Sequence, residues 1–223
     1  MNQSPILIAV GDISLGDFPF CPGIGIRSAL SRGLSPFSYV SSVLGQGNLV
    51  FGNLETVLSD AGLHRDRLDS WEMRGRPDDV SILKEAGFNI LNIANNHTMQ
   101  HGRDAFFETV DLLNRNNISV LGKKSEKAGI GSEPVVMNAG GLKIGFLGYA
   151  FEEDLYQKGD IGYASAFHCD IRSDIQTLLP EVDKVVISCH WGLEFIQKPS
   201  LNTVTLARRM IDWGADIVLG HHP

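Results

Sequence analysis

The sequence predicts an α/β fold in which two sheets pack together and are covered by helices. Three observations point there: short β-branched or aliphatic runs typical of strands buried on both faces, amphipathic helical stretches between them, and one glycine-joined pair of strand-like runs that interrupts the alternation. The interruption adds antiparallel structure, which argues against a purely parallel, doubly wound sheet.

The elements follow in chain order. Residues 6–10 form an apolar run ending at Gly11-Asp12, the first predicted strand. The glycine-rich stretch 21–47 reads as loops around one short helix, 37–44, before a second strand at 49–51. A third strand, 90–93, leads into Asn95-Asn96-His97. The helix after Gly102 turns Phe106, Phe107, Val110 and Leu113 inward and carries Asp104 and Glu108 early, where the helix dipole favours acids. A strand at 118–121 comes next, followed by runs 134–138 and 142–149 joined by Ala139-Gly140-Gly141, a hairpin signal because glycine readily takes positive φ. After a strand at 185–188, Ser200 is placed to cap a helix whose inward stripe is Val204, Ala207, Met210 and Ile211, ending at Gly214. The last strand, 217–219, runs into Gly220-His221-His222.

Composition bounds what such a fold can do. With 223 residues, 43% apolar and 20% charged, the chain is expected to form a single domain over 1–223. A formal net charge of -7 and a pI near 5.4, with Lys123-Lys124 and Arg208-Arg209 the only adjacent basic pairs, argue against nucleic-acid binding. Cys21, Cys169 and Cys189 are odd in number and form no Cys-x-x-Cys, which fits reduced thiols; Cys189 reads as a small buried apolar residue. No run has the length of a membrane span or the pattern of a signal peptide, so a cytoplasmic location is expected.

Five polar clusters each stand at the end of an apolar run: Gly11-Asp12, Asn53-Leu54-Glu55, Asn95-Asn96-His97, His190-Trp191-Gly192 and His221-His222. In open α/β sheets the carboxyl ends of strands form the ligand crevice, so these side chains can converge. Asp12 alone could cap a turn and Glu55 alone could be a solvated acid, but three strand ends with His beside two with Asp or Glu point to a shared metal site. Imidazoles with carboxylates and an amide oxygen suit Mn, Fe or Zn. The candidate ligands exceed one tetrahedral sphere, which fits two divalent ions about 3.5 to 4 Å apart. His101 stands close enough to His97 to line the same mouth, whereas His64 and His168 carry no such signal.

Taken in order, Gly11-Asp12-Ile13-Ser14-Leu15-Gly16, Asn53-Leu54-Glu55-Thr56, Ala94-Asn95-Asn96-His97 with Gly102, His190-Trp191-Gly192 with Glu194, and Gly220-His221-His222-Pro223 resemble the successive motifs of the CapA family. These are the poly-γ-glutamate capsule biosynthesis proteins, similar in fold to the calcineurin-like metallophosphoesterases. The resemblance implies a four-layered fold: two mixed sheets packed together and flanked by helices. It implies Asp12, Glu55, Asn96, His190 and His222 as ligands of two divalent transition-metal ions and His97 as proton donor to the leaving group. Asn53 and Glu194 would support the ligands, with Asn95, His101, Trp191 and His221 beside them or facing substrate. Asp17 and Gln100 stand where the family often has a basic and an acidic residue. The family continues past the position of Pro223 with another histidine and further strands, so a C-terminal truncation is expected.

The implied function is hydrolysis by a metal-bound hydroxide of a phosphoester or a γ-glutamyl amide, in a small molecule or an acidic polymer. The alternatives are a non-enzymatic accessory of capsule polymer synthesis or export, recruited by other capsule-synthesis proteins, and an inactive fragment.

Overall fold

Aliphatic runs become strands and the stretches between them become helices in the computed structural model, which describes residues 4–16, 25–127, 129–152, 156 and 161–222. The elements are β1 (Leu7–Ile13), α1 (Ile26–Ser31), α2 (Ser41–Leu44), β2 (Leu49–Leu54), β3 (Val57–Leu58), β4 (Arg74–Gly75), α3 (Val80–Glu85), β5 (Ile90–Asn92), α4 (Gly102–Arg115), β6 (Ser119–Leu121), β7 (Val135–Ala139), β8 (Leu142–Ala150), α5 (Ile171–Leu178), β9 (Lys184–His190), α6 (Leu201–Asp212) and β10 (Ile217–His221). Asp17 and Cys21 lie outside the described residues.

One sheet has the strand order β1-β2-β5-β6 and is parallel throughout; the other runs β10-β9-β8-β7 and is parallel except for β7. The expectation of two mixed sheets therefore holds for the second alone. Within the first sheet, successive strands are joined by long connections carrying helices, which return the chain to the same end, whereas β7 and β8 are joined by the tight Gly140-Gly141 turn at φ 58° and 86°. A separate two-stranded ribbon, β3-β4, was not foreseen, and two residues per strand leave too little pattern to read.

Period-two alternation divides each buried strand between two cores. Leu49, Phe51 and Ile90 face Ile144, Phe146 and Val186 in a cluster shared by the two sheets. Val50 and Leu91 point the other way, onto Leu83, Phe106, Val110 and Leu113 of α3 and α4. On the outer side of the second sheet, Leu147, Tyr149 and Ile187 pack with Ile175, Leu178 and Met210 of α5 and α6.

The helices correct several expectations. In α4, Phe106, Val110 and Leu113 are buried, but Phe107 is 36% exposed and lies under the Arg103 guanidinium. Adjacent helical residues sit about 100° apart, so Phe106 and Phe107 cannot share a stripe. The same geometry puts Met210 inside and leaves Ile211 46% exposed on α6. Ser200 does cap α6, accepting from the Thr203 N–H at 3.1 Å. The helix expected at 37–44 shrinks to Ser41–Leu44, while α1, α3 and α5 arise where no helix was assigned.

The sheets approach closely near the carboxyl ends of β5 and β8. A Cβ on Gly148 would overlap Asn92 Oδ1 and stand 2.9 Å from Leu121 Cγ. Gly148→Ala is therefore expected to cost about 2–3 kcal/mol by forcing the sheets apart, read as a lowered urea midpoint with unchanged slope.

Candidate metal centre

The candidate site lies between one polar rung from each sheet. On the first, Asp12, Asn53 and Asn92 are lateral neighbours on β1, β2 and β5. On the second, His221, His190 and Ala150 occupy the matching end of β10, β9 and β8. Strands β1, β2, β9 and β10 run further than the apolar runs suggest, so Asp12, Asn53, His190 and His221 stand within strands. One extra residue in β1 between Ala9 and Asp12 interrupts the register with β2, a bulge that re-aims Asp12.

Asn53 is wholly buried and ties the first rung together. Its Nδ2 donates to Asp12 Oδ1 at 2.6 Å and lies 3.2 Å from His190 Nδ1. Its Oδ1 accepts from Asn92 Nδ2 at 2.8 Å and Asn95 Nδ2 at 3.4 Å. Asn92 was not singled out from the sequence, although an amide inside Ile90-Leu91-Asn92-Ile93 is itself a signal of a buried polar network.

Glu55, His190 and His222 each place one ligand-capable atom within 4.8 Å of the others. His190 Nε2 stands 3.5 Å from Glu55 Oε1 and 2.9 Å from Asn96 Oδ1, and His222 Nδ1 stands 4.0 Å from Glu55 Oε1. Asp12 borders the group: its Oδ1 is 3.9 Å from His190 Nδ1, and its Oδ2 accepts the His222 backbone N–H at 2.9 Å. That bond helps hold His222 at φ 81°, a left-handed conformation that costs a β-carbon-bearing residue about 1–3 kcal/mol and is concentrated at functional sites.

Burial and charge set the protonation states. Burial, then Asp12, then Glu194 push the Glu55 carboxyl up from 4.5 to about 8. Burial and the neighbouring histidines hold His190 down from 6.5 to about 2, so its imidazole is neutral. A neutral imidazole and a carboxylate crowded by negative charge and poor hydration form a donor set that a divalent cation would satisfy.

The other sequence candidates take varied places. His97 hydrogen-bonds through Nδ1 to Gln100 Oε1 at 2.7 Å, and its backbone N–H donates to Asn95 Oδ1 at 3.2 Å. Asn95 Nδ2 also donates to the Leu54 carbonyl at 2.8 Å, fixing the loop after β5 against the end of β2. His101 is turned aside, with Nε2 2.6 Å from the Glu72 carbonyl. Glu194 is exposed and reaches the cluster through its charge on Glu55. Trp191 packs beside Phe151 and walls an open groove of about 780 Å³ that His221 also borders. Cys189 is fully buried against Met210, as its reading as a small apolar residue requires, and burial pushes its thiol well up.

Comparison with known proteins supplies the family. The model of the bacterial capsule synthesis protein family PGA_cap matches residues 6–223. The chain belongs to that family. It is 27% identical over 237 residues to the capsule biosynthesis protein CapA of Bacillus anthracis, covering 100% of this chain and 55% of that one. It is also 27% identical to the PGA biosynthesis protein CapA of Bacillus subtilis (strain 168), over 85% of this chain and 50% of the other. The PGA_cap chain described here thus spans about half the length of the curated relatives it matches. Its fold resembles that of a hypothetical protein from Thermus thermophilus, with TM-score 0.51, 18% identity, and coverage of 97% of this chain and 67% of the other.

Proposed function

We propose that this PGA_cap chain is a divalent-cation-dependent hydrolase acting in the biosynthesis of a bacterial capsule polymer, within one four-layered, phosphoesterase-like domain spanning 1–223. The observation that carries this reading is the convergence of Glu55, His190 and His222 within 4.8 Å, with Asn96 bonded to His190. Three apolar clusters, one between the sheets and one on each outer face, support the layering. The names of the Bacillus relatives support the capsule role.

Glu55, Asn96, His190 and His222, with Asp12 beside them, would hold two ions of Mn, Fe or Zn. Bound ions would supply Lewis acidity and a lowered pKa for water. The protein's own groups position and move protons. Asn53 orients Asp12 and His190, as second partners of ligands commonly do. The Gln100 amide oxygen accepts the His97 Nδ1–H, which leaves the lone pair on Nε2; that nitrogen would first take up a proton from water and then pass it to a leaving group. The groove beside His221 carries Lys198 and Arg208 among apolar walls, which suits an acidic polymer or a small acidic substrate presenting a phosphoester or γ-glutamyl amide. His97→Ala is expected to cut turnover about 100- to 1,000-fold while leaving bound metal unchanged; loss of metal would make His97 a ligand, and unchanged turnover would remove its role.

The pH dependence of cation binding follows from Glu55. Its proton must leave before the carboxylate can bind, so affinity is expected to rise about tenfold per pH unit from pH 6 to 8 and level off above. Calorimetry in buffers of different ionisation heat should show about one proton released at pH 7 by the ion that Glu55 binds and close to none at pH 9.

One observation favours the accessory reading. After His190 the chain exposes Leu193 (73%), Phe195 (93%) and Leu201 (85%), an apolar surface of the kind that docks on another protein. Full retention of metal with no hydrolysis of any phosphoester or γ-glutamyl peptide tested would select a partner among the capsule-synthesis proteins over catalysis. No helix among the described residues is long and apolar enough to cross a membrane.

A further inference from the structure

We infer that His221 joins Asp12 in holding a second divalent cation, a role distinct from that of the Glu55–His190–His222 group and resting on the cation-dependent reading above. His221 is 3% exposed, and among the described residues neither of its ring nitrogens has a hydrogen-bond partner. A neutral imidazole always carries one N–H donor and one lone pair, so both are left unsatisfied inside the protein, an arrangement that native structures seldom tolerate without a bound group.

The ring is held in place from both sides. It lies 5.6 Å from the Phe51 ring, centroid to centroid, and its strand is registered onto β9 through His221 and His190. Its Nδ1 stands 3.8 Å from Asp12 Oδ1, too far for a direct hydrogen bond. Two donors each about 2.1 Å from one ion span about 3.4 Å at the tetrahedral angle and about 4.2 Å when opposed. The observed gap falls in that range. A water bridging the same atoms by two hydrogen bonds of about 2.8 Å would have to close its angle to about 85°, well inside the tetrahedral value. Asp12 is prepared for the task, because Asn53 Nδ2 and the His222 N–H fix its two oxygens at 2.6 and 2.9 Å.

Metal stoichiometry tests the assignment without reference to activity. Wild-type chain titrated with Mn²⁺, followed by calorimetry and by electron paramagnetic resonance of free and spin-coupled Mn²⁺, is expected to bind two ions. His221→Ala is expected to bind one, with the affinity of the retained ion changed less than threefold and the coupled signal lost. Two ions in the variant would overturn the role of His221, as would a single ion in the wild type, which would leave the Glu55 group standing as a mononuclear site. No ion in either protein would remove the cation reading itself. Should His221→Ala fail to fold, ¹⁵N-histidine spectra of the wild type titrated with Zn²⁺ decide the matter: the second equivalent must shift the His221 Nδ1 resonance, and an unmoved resonance overturns the assignment.

Discussion

Mn²⁺ affinity at the Glu55–His190–His222 group is expected to fall at least about 100-fold in both Glu55→Gln and His190→Ala, because each removes a donor from a set of three. The two variants should part company once metal is withheld. Glu55 sits at about 8 in the folded chain against an ordinary 4.5, so its contribution to the metal-free fold is complete below pH 4.5 and is lost as pH rises through 8. His190, held at about 2 against 6.5, contributes above pH 6.5 and loses that contribution as pH falls towards 2. Glu55→Gln should therefore stabilise the metal-free protein at pH 9 by on the order of 2–4 kcal/mol, since it deletes a poorly hydrated charge lying near Asp12 and Glu194. Excess Mn²⁺ should reverse the order of stabilities. Urea unfolding at pH 9, with chelator and with Mn²⁺, measures both; a variant less stable than wild type under chelator would show that Glu55 is structurally satisfied without a cation.

The second large effect falls on Asn53. Asn53→Leu keeps the branched skeleton, with bulkier methyl tips, but strips donors and acceptors from Asp12, His190, Asn92 and Asn95 at once. Asn92 retains the Ala94 carbonyl and Asn95 retains the Leu54 carbonyl, so the cost concentrates on the Asp12 carboxylate. A loss of about 1.5–3 kcal/mol is expected, the range for a hydrogen bond to a charged group, since Asp12 is partly exposed and keeps the His222 N–H on its other oxygen. Metal affinity should fall a further 10- to 100-fold because Asp12 and His190 lose their orienting amide. Denaturation and calorimetry on one sample report the two effects, and a stability change below 1 kcal/mol would mean that water replaces the amide.

Much of the frame was legible because buried strands leave apolar runs and the Gly-Gly turn leaves a local signal. Helix facing was legible only in part. Phe107 and Ile211 each adjoin a truly buried residue, and composition does not say which neighbour points inward. The helices α1, α3 and α5 have six to eight residues, too few for a 3.6-residue period to stand out. At the candidate site, Asp12, Glu55, Asn96, His190 and His222 announce themselves as polar side chains after apolar runs, and the structure brings them together. The bulge in β1, the positive φ of His222 and the hydrogen bonds of Asn92 depend on which strands become neighbours. No local pattern encodes that. The resemblance to known capsule proteins located the ligand-capable residues, whereas the unsatisfied nitrogens of His221 required the packed structure.

The bond from the His222 backbone to Asp12 joins residues 210 positions apart. During synthesis at about 5–20 residues per second, Asp12 would leave the ribosome about 10–40 s before His222. For that interval the nascent chain holds Asp12 and Glu55 without the histidine after β10 that completes the group. On the cation-dependent reading proposed above, selection of the cation would be deferred until the second sheet has closed, when the folded cage would compete for whichever ion the surroundings offer, and the order of affinities among metals would give way to their abundance.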